Sequence, residues 1–351
     1  MSSSAITVGL SLIFLVVLLG PFLNKKIESN LEAFLFLMGA LSASLSSAWS
    51  SEVVHEALTA PIEITLAVLG AGILFHYLRR RIDSWMKLLL NAVPLPVVIF
   101  LGTVVLGLFS SVISAIIAAL LLVELVTVLP LHRRAEVALT IIACFAIGLG
   151  AALTPLGEPL STIAISKLSG EPYHAKFLFL ADLLGLYIVP AVVVMGFLAA
   201  YMVRDRAADP AATLGAAAHE EKLGEVFIRS LKVYVFVMAL IFLGAGFKPL
   251  IDAYLTKIPS QALFWVNIIS AVLDNATLAA AEIGPSLDET QIKSALLGLL
   301  IAGGMLIPGN IPNIIAAHAL HITSTEWARL GVPLGLILMV LTAGLLLLGV
   351  V

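Results

Sequence analysis

Proline and glycine interrupt two of the long apolar runs in this chain, and the two interruptions have similar sequences. They are residues 154–159 (TPLGEP; the first break) and residues 307–312 (IPGNIP; the second break). Lipid cannot satisfy the N–H and C=O groups that a broken helix frees, so such backbone needs protein or a water-filled cavity around it. Paired breaks in corresponding halves are typical of substrate sites in secondary transporters. The two breaks therefore predict a ligand site.

The composition is that of a polytopic membrane protein. Of 351 residues, 61% are hydrophobic and only 12% are charged, which lies outside the usual range of soluble domains. A net charge of −3 provides no basic face for nucleic acid. The single cysteine, Cys144, excludes an intramolecular disulfide and a multi-thiolate metal site. P-loop, nucleophile-elbow, HExxH and Cys/His signatures are missing, so we expect neither an enzyme nor a cofactor.

Several apolar stretches reach the length of about 20 residues that a membrane crossing needs. They are 5–23, 31–48, 59–78, 136–168, 177–201, 226–247, 294–321 and 331–351. A further stretch, 259–285 (the second hairpin), has only about 13 residues on either side of Asp274, too few to cross a ~30 Å core twice. It predicts a re-entrant hairpin. The stretch 92–130 (the first hairpin) fits either a hairpin or two crossings.

Lysine and arginine are distributed unevenly over this layout. Of the 19 basic residues, 14 fall on one side of the membrane and 5 on the other. The positive-inside rule makes the first side cytoplasmic. Both termini are then outside, and we expect the first apolar stretch to be retained.

The same order of segments occurs twice. Residues 1–58 form N-terminal spans, and residues 59–202 form a first repeat of span, hairpin, broken span and span. Residues 226–351 follow that order from the opposite side of the membrane, and the polar stretch 203–225 is a cytoplasmic linker. We therefore predict an all-α fold with an inverted-topology repeat, two re-entrant hairpins and two broken transmembrane helices.

Asp274, in the middle of the second hairpin, is the first candidate for chemistry. A carboxylate that faced lipid there would cost at least a few kcal/mol, so it needs a partner. A cation and a proton are both candidates, and their competition at one carboxylate is sufficient for exchange. The alternative is a structural role in which Asp274 and Asn275 cap the hairpin.

Glu158 is the acidic residue of the first break, between Thr154 and Gly157 on one side and Ser161 on the other. Hard cations prefer carboxylate, hydroxyl and carbonyl oxygens, all of which this stretch offers. The alternative is that Glu158 or Ser161 caps the half-helix that begins near Pro159.

The second break carries amides but no charge. Gly309 loosens the backbone, and Asn310 and Asn313 supply amide oxygens. Glu124 and Glu282 follow the hairpin serines at similar distances, and we name Glu124 as a secondary proton carrier. Ser110, Ser111 and Ser114 fall where the first hairpin turns, and we favour helix packing as their role.

Three motifs resemble the ion transporter superfamily, most closely its NhaD-type sodium/proton antiporters and a related family of predicted cation transporters. They are SAVLDNATLAA at 270–280, TPLGEPLSTIAI at 154–165 and GGMLIPGNIPNIIAA at 303–317. The resemblance implies an elevator-like carrier in the plasma membrane of a prokaryote, often dimeric, with its site between hairpin tips and breaks.

The resemblance also implies two half-sites. Asp274, Asn275 and Thr277 would line one, and Thr154, Pro155, Gly157 and Glu158 the other. The chain departs from the family twice: the first hairpin tip has serines in place of Asp or Asn, and Glu158 stands where the antiporters have Asp.

These observations predict a secondary cation/proton antiporter with sodium as the expected cation. Asp274 and Glu158 would hold the cation and the proton in turn, within a homodimer in the bilayer and without nucleic acid as a partner. The alternative is an anion carrier of the dicarboxylate, sulfate or arsenite type, because half-helix N-termini attract negative charge. Two central carboxylates without a central Lys or Arg favour the cation.

Overall fold

The computed structural model describes residues 3–203, 223–254 and 260–347. These residues form helices and connecting turns, with no strand among them, which confirms the predicted all-α class. Residues 204–222, the bulk of the predicted linker 203–225, lie outside the described residues.

The described helices range in length from 5 to 42 residues. Up to residue 203 they are α1 (Ser3–Leu23), α2 (Lys25–Ser29), α3 (Leu31–Leu45), α4 (Ser51–Ala92), α5 (Leu95–Ile113), α6 (Ala115–Val128), α7 (Arg133–Ala151), α8 (Pro159–Lys167) and α9 (Phe179–Val203). From residue 223 onward they are α10 (Leu223–Tyr254), α11 (Ser260–Val266), α12 (Asn275–Glu282), α13 (Glu289–Gly303), α14 (Ile311–Ala319) and α15 (Ser324–Leu347). Short 3-10 turns occupy Asn267–Ala271 and Ile307–Gly309.

Seven helices within the described residues are long and apolar enough to cross a membrane. They include or coincide with Ile6–Leu23, Ser51–Gly70, Leu95–Ile113, Arg133–Ala151, Phe179–Val203, Val226–Leu250 and Ser324–Leu347. Many of their large apolar side chains are exposed, as they are on a lipid-facing surface. These helices fit the predicted multi-pass membrane protein.

Two predicted spans differ from the helices that form. The stretch predicted at 31–48 contains α3, whose 15 residues reach only about 22 Å of a ~30 Å core. The stretch predicted at 59–78 lies within α4, a helix of 42 residues. The helix continues because the polar residues around the apolar run also favour helix, so the end of hydrophobicity is not the end of the helix.

The two hairpins have arms of different lengths. In the first hairpin, α5 has 19 residues and α6 has 14, so only α5 is long enough to cross. In the second hairpin, α11 has 7 residues and α12 has 8. Neither of these arms reaches across a ~30 Å core.

Helix α7 lies at the centre of the described structure. All of its residues from Val137 to Ala151 are buried, and it packs against α5, α9, α13, α14 and α15. Its contact with α5 is a backbone approach, since a Cβ added at Gly150 would lie 1.8 Å from the carbonyl oxygen of Gly107. Small residues allow such close helix contacts in membranes. The approach sets the position of the first hairpin against the first break.

We predict that Gly150→Ala destabilises the protein by roughly 1–3 kcal/mol or more, because a backbone carbonyl cannot yield to the new methyl group without a helix shift. Thermal unfolding in detergent measures the effect. Gly185→Ala is the matched control, since a Cβ at Gly185 on α9 meets nothing within 4 Å. Equal melting temperatures for the two variants would contradict the close approach.

Candidate functional site

Four half-helices begin close to one another, and each has a polar residue at its N-cap. The caps are Ser114 for α6, Glu158 for α8, Asp274 for α12 and Asn310 for α14. The half-helices pack in pairs, α8 against α12 and α6 against α14. The positive ends of four helix dipoles therefore lie in one region.

The first break closes around Gly157. A Cβ there would lie 1.9 Å from the carbonyl oxygen of Ala151, so only glycine fits. The Oγ of Ser161 donates to the carbonyl of Ala152 at 3.2 Å, and the Oγ1 of Thr162 donates to that of Pro155 at 2.6 Å. Side chains of α8 thus satisfy the carbonyl of Ala152 at the end of α7 and that of Pro155 within the break.

The first hairpin tip bonds directly to this break. The N–H of Ala115 donates to the carbonyl of Gly157 at 2.8 Å. The Oγ1 of Thr154 donates to the carbonyl of Ser111 at 2.5 Å. The tip and the break therefore hold each other in place.

The second break closes in the same manner with a different side chain. A Cβ at Gly309 would lie 2.5 Å from the carbonyl oxygen of Gly303. The Nδ2 of Asn313 donates to the carbonyls of Gly303 and Leu306, both at 2.9 Å. Gly309 lies six residues after Gly303, and Asn313 lies four residues after Gly309. In the first break, Gly157 and Ser161 follow Ala151 with the same spacing.

Each hairpin also makes an equivalent hydrogen bond to a neighbouring helix. The Oγ of Ser110 donates to the carbonyl of Ile147 on α7 at 3.0 Å, and the Oγ of Ser270 donates to that of Leu299 on α13 at 3.1 Å. Each serine thus ties its hairpin to the helix that precedes a break, as the predicted packing role of Ser110 requires.

Asp274 serves as a structural cap. Its Oδ2 accepts from the N–H of Thr277 at 2.9 Å and from the Oγ1 of the same residue at 3.1 Å. Asn275 beside it is buried, and its side-chain amide lies at hydrogen-bonding distance from the Oγ of Ser270. The capping role that the sequence left open for Asp274 is therefore present.

Glu158 stands at the N-cap of α8 without capping it. Its side chain makes no cap hydrogen bond and is only 7% exposed. Its Oε1 is buried and has no hydrogen-bond partner. The capping alternative for the Glu158 side chain is therefore wrong. Its charge is near enough to interact with that of Asp274.

Helices α8 and α12 run in the same direction. Lys167, at the end of α8, donates from Nζ to the carbonyl of Ala280 near the end of α12. Glu158 and Asp274 are the N-caps at the starts of these two helices, at the end away from Lys167. The half-helix after each break thus packs against the hairpin of the other half. One pair, α8 with α12, has the acidic caps Glu158 and Asp274, and the other, α6 with α14, has the neutral caps Ser114 and Asn310.

A cleft of about 380 Å³ opens beside Glu158. Its lining combines the first hairpin tip, the first break with the start of α8, and the start of α14. The residues are Ser114, Ala115, Ile116, Pro155, Leu156, Gly157, Glu158, Pro159, Thr162, Ile163, Asn310 and Ile311.

The cleft contains only some of the predicted site residues. Pro155, Gly157, Glu158 and Asn310 line it. The other predicted residues lie outside its lining: Thr154, Ser161, Asp274, Asn275, Thr277, Gly309 and Asn313. Glu124, the predicted secondary proton carrier, is half-buried on α6 and is likewise outside the lining.

Two polar residues of the cleft lining were not predicted as site residues. The sequence favoured packing for Ser114, and it gave no role to Thr162. Ser114 has a φ of 77°, which is unusual for a residue with a side chain. Its Oγ accepts from the N–H of Ile117 at 3.4 Å. The signal was present in the spacing, because Ser114 follows Ser110 by the same four residues that separate Asp274 from Ser270.

A second cleft of about 270 Å³ lies between the start of α3 and the end of α14. Its wall includes the ion pair of Lys232 with Glu32, whose Nζ and Oε1 are 2.9 Å apart. Ile307 of the second break also lines it, while Asn310 of that break lines the first cleft. The second break thus borders both clefts.

Residues 7–348 match the model of a family described as "Protein of unknown function (DUF1646)". The chain belongs to this family. The description gives no activity, and no curated protein matches the chain. Neither result bears on the resemblance to NhaD-type antiporters, which stays a prediction.

We predict that Asn313→Ala costs roughly 1–3 kcal/mol, since it removes the side-chain donor from the carbonyl of Gly303 and leaves that of Leu306 with only the N–H of Gly309, 3.3 Å away. Ser161→Ala removes a single bond of the first break and should cost less. Denaturation in detergent by heat compares the two variants with the wild type. A larger loss in Ser161→Ala would contradict the assigned role of Asn313.

Proposed function

We propose that the protein is a secondary active cation transporter, a sodium/proton antiporter that shares carboxylates between the cation and the proton. One observation carries the proposal: the Glu158 carboxylate is buried, lines a cleft and has an oxygen without a protein partner. A buried charge in that condition needs a counter-ion or a proton.

The charges around Glu158 favour a cation as that partner. Asp274 is the nearby charge that acts on it, and it is also acidic. Lysine, arginine and histidine are missing from the described lining of the cleft. A sodium ion among Glu158, Asn310 and backbone carbonyls would meet the oxygen ligands that hard cations prefer.

The exchange follows from a single site with two occupants. A cation that enters the cleft replaces the proton on Glu158, and a proton that returns releases the cation. Because Asp274 repels a second negative charge nearby, one of the two occupants is required at all times. The proton gradient then drives the cation in the opposite direction.

The proposed fold is an inverted-topology repeat with two re-entrant hairpins and two broken transmembrane helices. The matched closure of the two breaks at Gly157 and Gly309 supports it. The matched serine bonds of the two hairpins support it too. On this proposal, residues 59–202 and 226–351 are the repeats, and an elevator-like movement exposes the site alternately. The two clefts that border the second break are consistent with access from two sides.

An anion carrier is the second candidate, and one observation favours it. Four helix N-termini lie around the cleft region, and helix N-termini attract anions. Glu158 and Asp274 occupy two of the four, however, so an anion would meet negative charge first. Protonation of both acids would be needed before a dicarboxylate or sulfate could bind.

The remaining proposals concern the setting of the protein. We propose that it lies in the plasma membrane of a prokaryote, forms a homodimer, exchanges a small cation for protons and uses no cofactor. These proposals rest on the resemblance and on the distribution of basic residues in the sequence.

We predict that Glu158→Gln and Asp274→Asn each reduce sodium-dependent proton efflux from everted vesicles by roughly tenfold or more, since tenfold corresponds to only about 1.4 kcal/mol. Asn is as good an N-cap as Asp, so Asp274→Asn removes charge while it keeps the cap. Asp182→Asn is the control, because Asp182 is exposed on α9. Full exchange in Glu158→Gln would refute the shared carboxylate.

Currents on solid-supported membranes separate the two candidate functions. A cation antiporter gives currents with sodium or lithium that Glu158→Gln abolishes. An anion carrier gives currents with dicarboxylates or sulfate, and neutralisation of Glu158 preserves or increases them. Anion currents alone would overturn the cation proposal.

We also predict that both termini are outside. Alkaline phosphatase fused after Val351 should be active, and a green fluorescent protein fused there should stay dark. The same two reporters placed within 203–225 should behave in the reverse way, which provides the internal control. Fluorescence at the C-terminus would invert the orientation.

A further inference from the structure

The second hairpin holds another buried acid, which the proposed transport cycle does not use. Glu282, at the end of α12, is 8% exposed, and Asn267, which directly follows α11, is fully buried. The Nδ2 of Asn267 donates to the Oε2 of Glu282 at 2.9 Å. The same Nδ2 donates to the carbonyl of Ala295 on α13 at 3.1 Å. This pair links the two arms of the hairpin to α13.

Two atoms of this pair lack a partner. The Oδ1 of Asn267 and the Oε1 of Glu282 are both buried without a hydrogen bond. Both are acceptors when the acid is ionised, and the two hydrogens of the amide are already used. Rotation of the amide by 180° would not help, since Oδ1 would then face the carbonyl of Ala295. The group that is needed is a donor.

The charged groups on the elements around α12 are engaged elsewhere. On α8, Lys167 donates to the carbonyl of Ala280. On α13, Lys293 pairs with Glu289 at 3.0 Å, and Asp288 caps the helix. On α10, Lys248 is exposed and Lys232 pairs with Glu32. An ionised Glu282 would therefore be a buried carboxylate with no cation against it among the described residues, which is unfavourable by several kcal/mol.

We propose that Glu282 and Asn267 form a proton-binding site, separate from Glu158 and Asp274. A proton from solvent binds the Oε1 of the Glu282 carboxylate and converts it to a neutral acid. The new O–H can donate to the Oδ1 of Asn267, while Oε2 keeps its bond from Nδ2. Acid and amide then satisfy each other, and the bound proton holds the arms of the hairpin together.

The proposal is independent of the transported ion. It depends on the hydrogen-bond pattern of the second hairpin alone, so failure of the antiport proposal leaves it intact. Gln is the natural probe, because its amide reproduces the protonated acid: the oxygen accepts from Asn267 Nδ2 and the Nε2 donates to Asn267 Oδ1.

Infrared spectroscopy on the purified full-length protein in lipid nanodiscs tests the proposal. At neutral pH the wild type should show the C=O stretch of a protonated carboxyl group that Glu282→Gln removes. Glu289→Gln is the matched control, because that acid is exposed and paired with Lys293, and it should leave the band unchanged. A wild-type minus Glu282→Gln difference that contains only carboxylate bands would overturn the proposal.

Thermal unfolding provides a second readout. Glu282→Gln should fold and melt like the wild type at low pH, and it should lack the loss of stability that the wild type undergoes when a high pH removes the proton. Failure of Glu282→Gln to fold would also overturn the proposal, since an amide must be tolerated wherever a neutral acid is present.

Discussion

Every backbone N–H and C=O group in a membrane-embedded helix needs a partner within the protein, and the whole described core depends on how the two breaks meet that requirement. Asn313 and Ser161 donate to carbonyls left by α13 and α7. The tip of the first hairpin donates to Gly157. A break that is closed internally in this way leaves the half-helix that follows it free to present its N-cap residue to a cleft. The hydrogen bonding of the broken backbone therefore positions the cleft residues independently of any ligand.

Cross-packing between the breaks and hairpins decides where negative charge collects. The half-helix after the first break pairs with that of the second hairpin, so Glu158 and Asp274 come together. The Oδ2 of Asp274 accepts two hydrogen bonds from Thr277, whereas the Oε1 of Glu158 has no hydrogen-bond partner. The two acids thus differ in their hydrogen bonding: Asp274 caps a helix start, and Glu158 keeps an oxygen without a protein partner.

Much of the fold could be predicted from the sequence, because apolar length and Pro/Gly breaks act locally. The breaks, the hairpin turn at Asp274 and the first span all lie where the sequence predicts them. The ends of α3 and α4 could not be predicted, since helix propensity continues or stops independently of hydropathy. The division of roles between Glu158 and Asp274 was beyond sequence as well, because both are acids at half-helix starts and only three-dimensional hydrogen bonding separates them. The positive φ of Ser114 was beyond sequence as well, since serine rarely adopts it, although the spacing from Ser110 matches that of Asp274 from Ser270.

The pairing of α8 with α12 and of α6 with α14 has a consequence for how such a chain could have arisen. Each pair takes one helix from either half, so neither half contains a complete acidic pair. Two identical halves, associated as separate chains, would place the same two caps in both pairs. Each pair would then have the same number of acids, so that both acids could not lie in one pair alone. The present sequence has one acid per half at non-equivalent positions, an arrangement that two identical halves cannot encode.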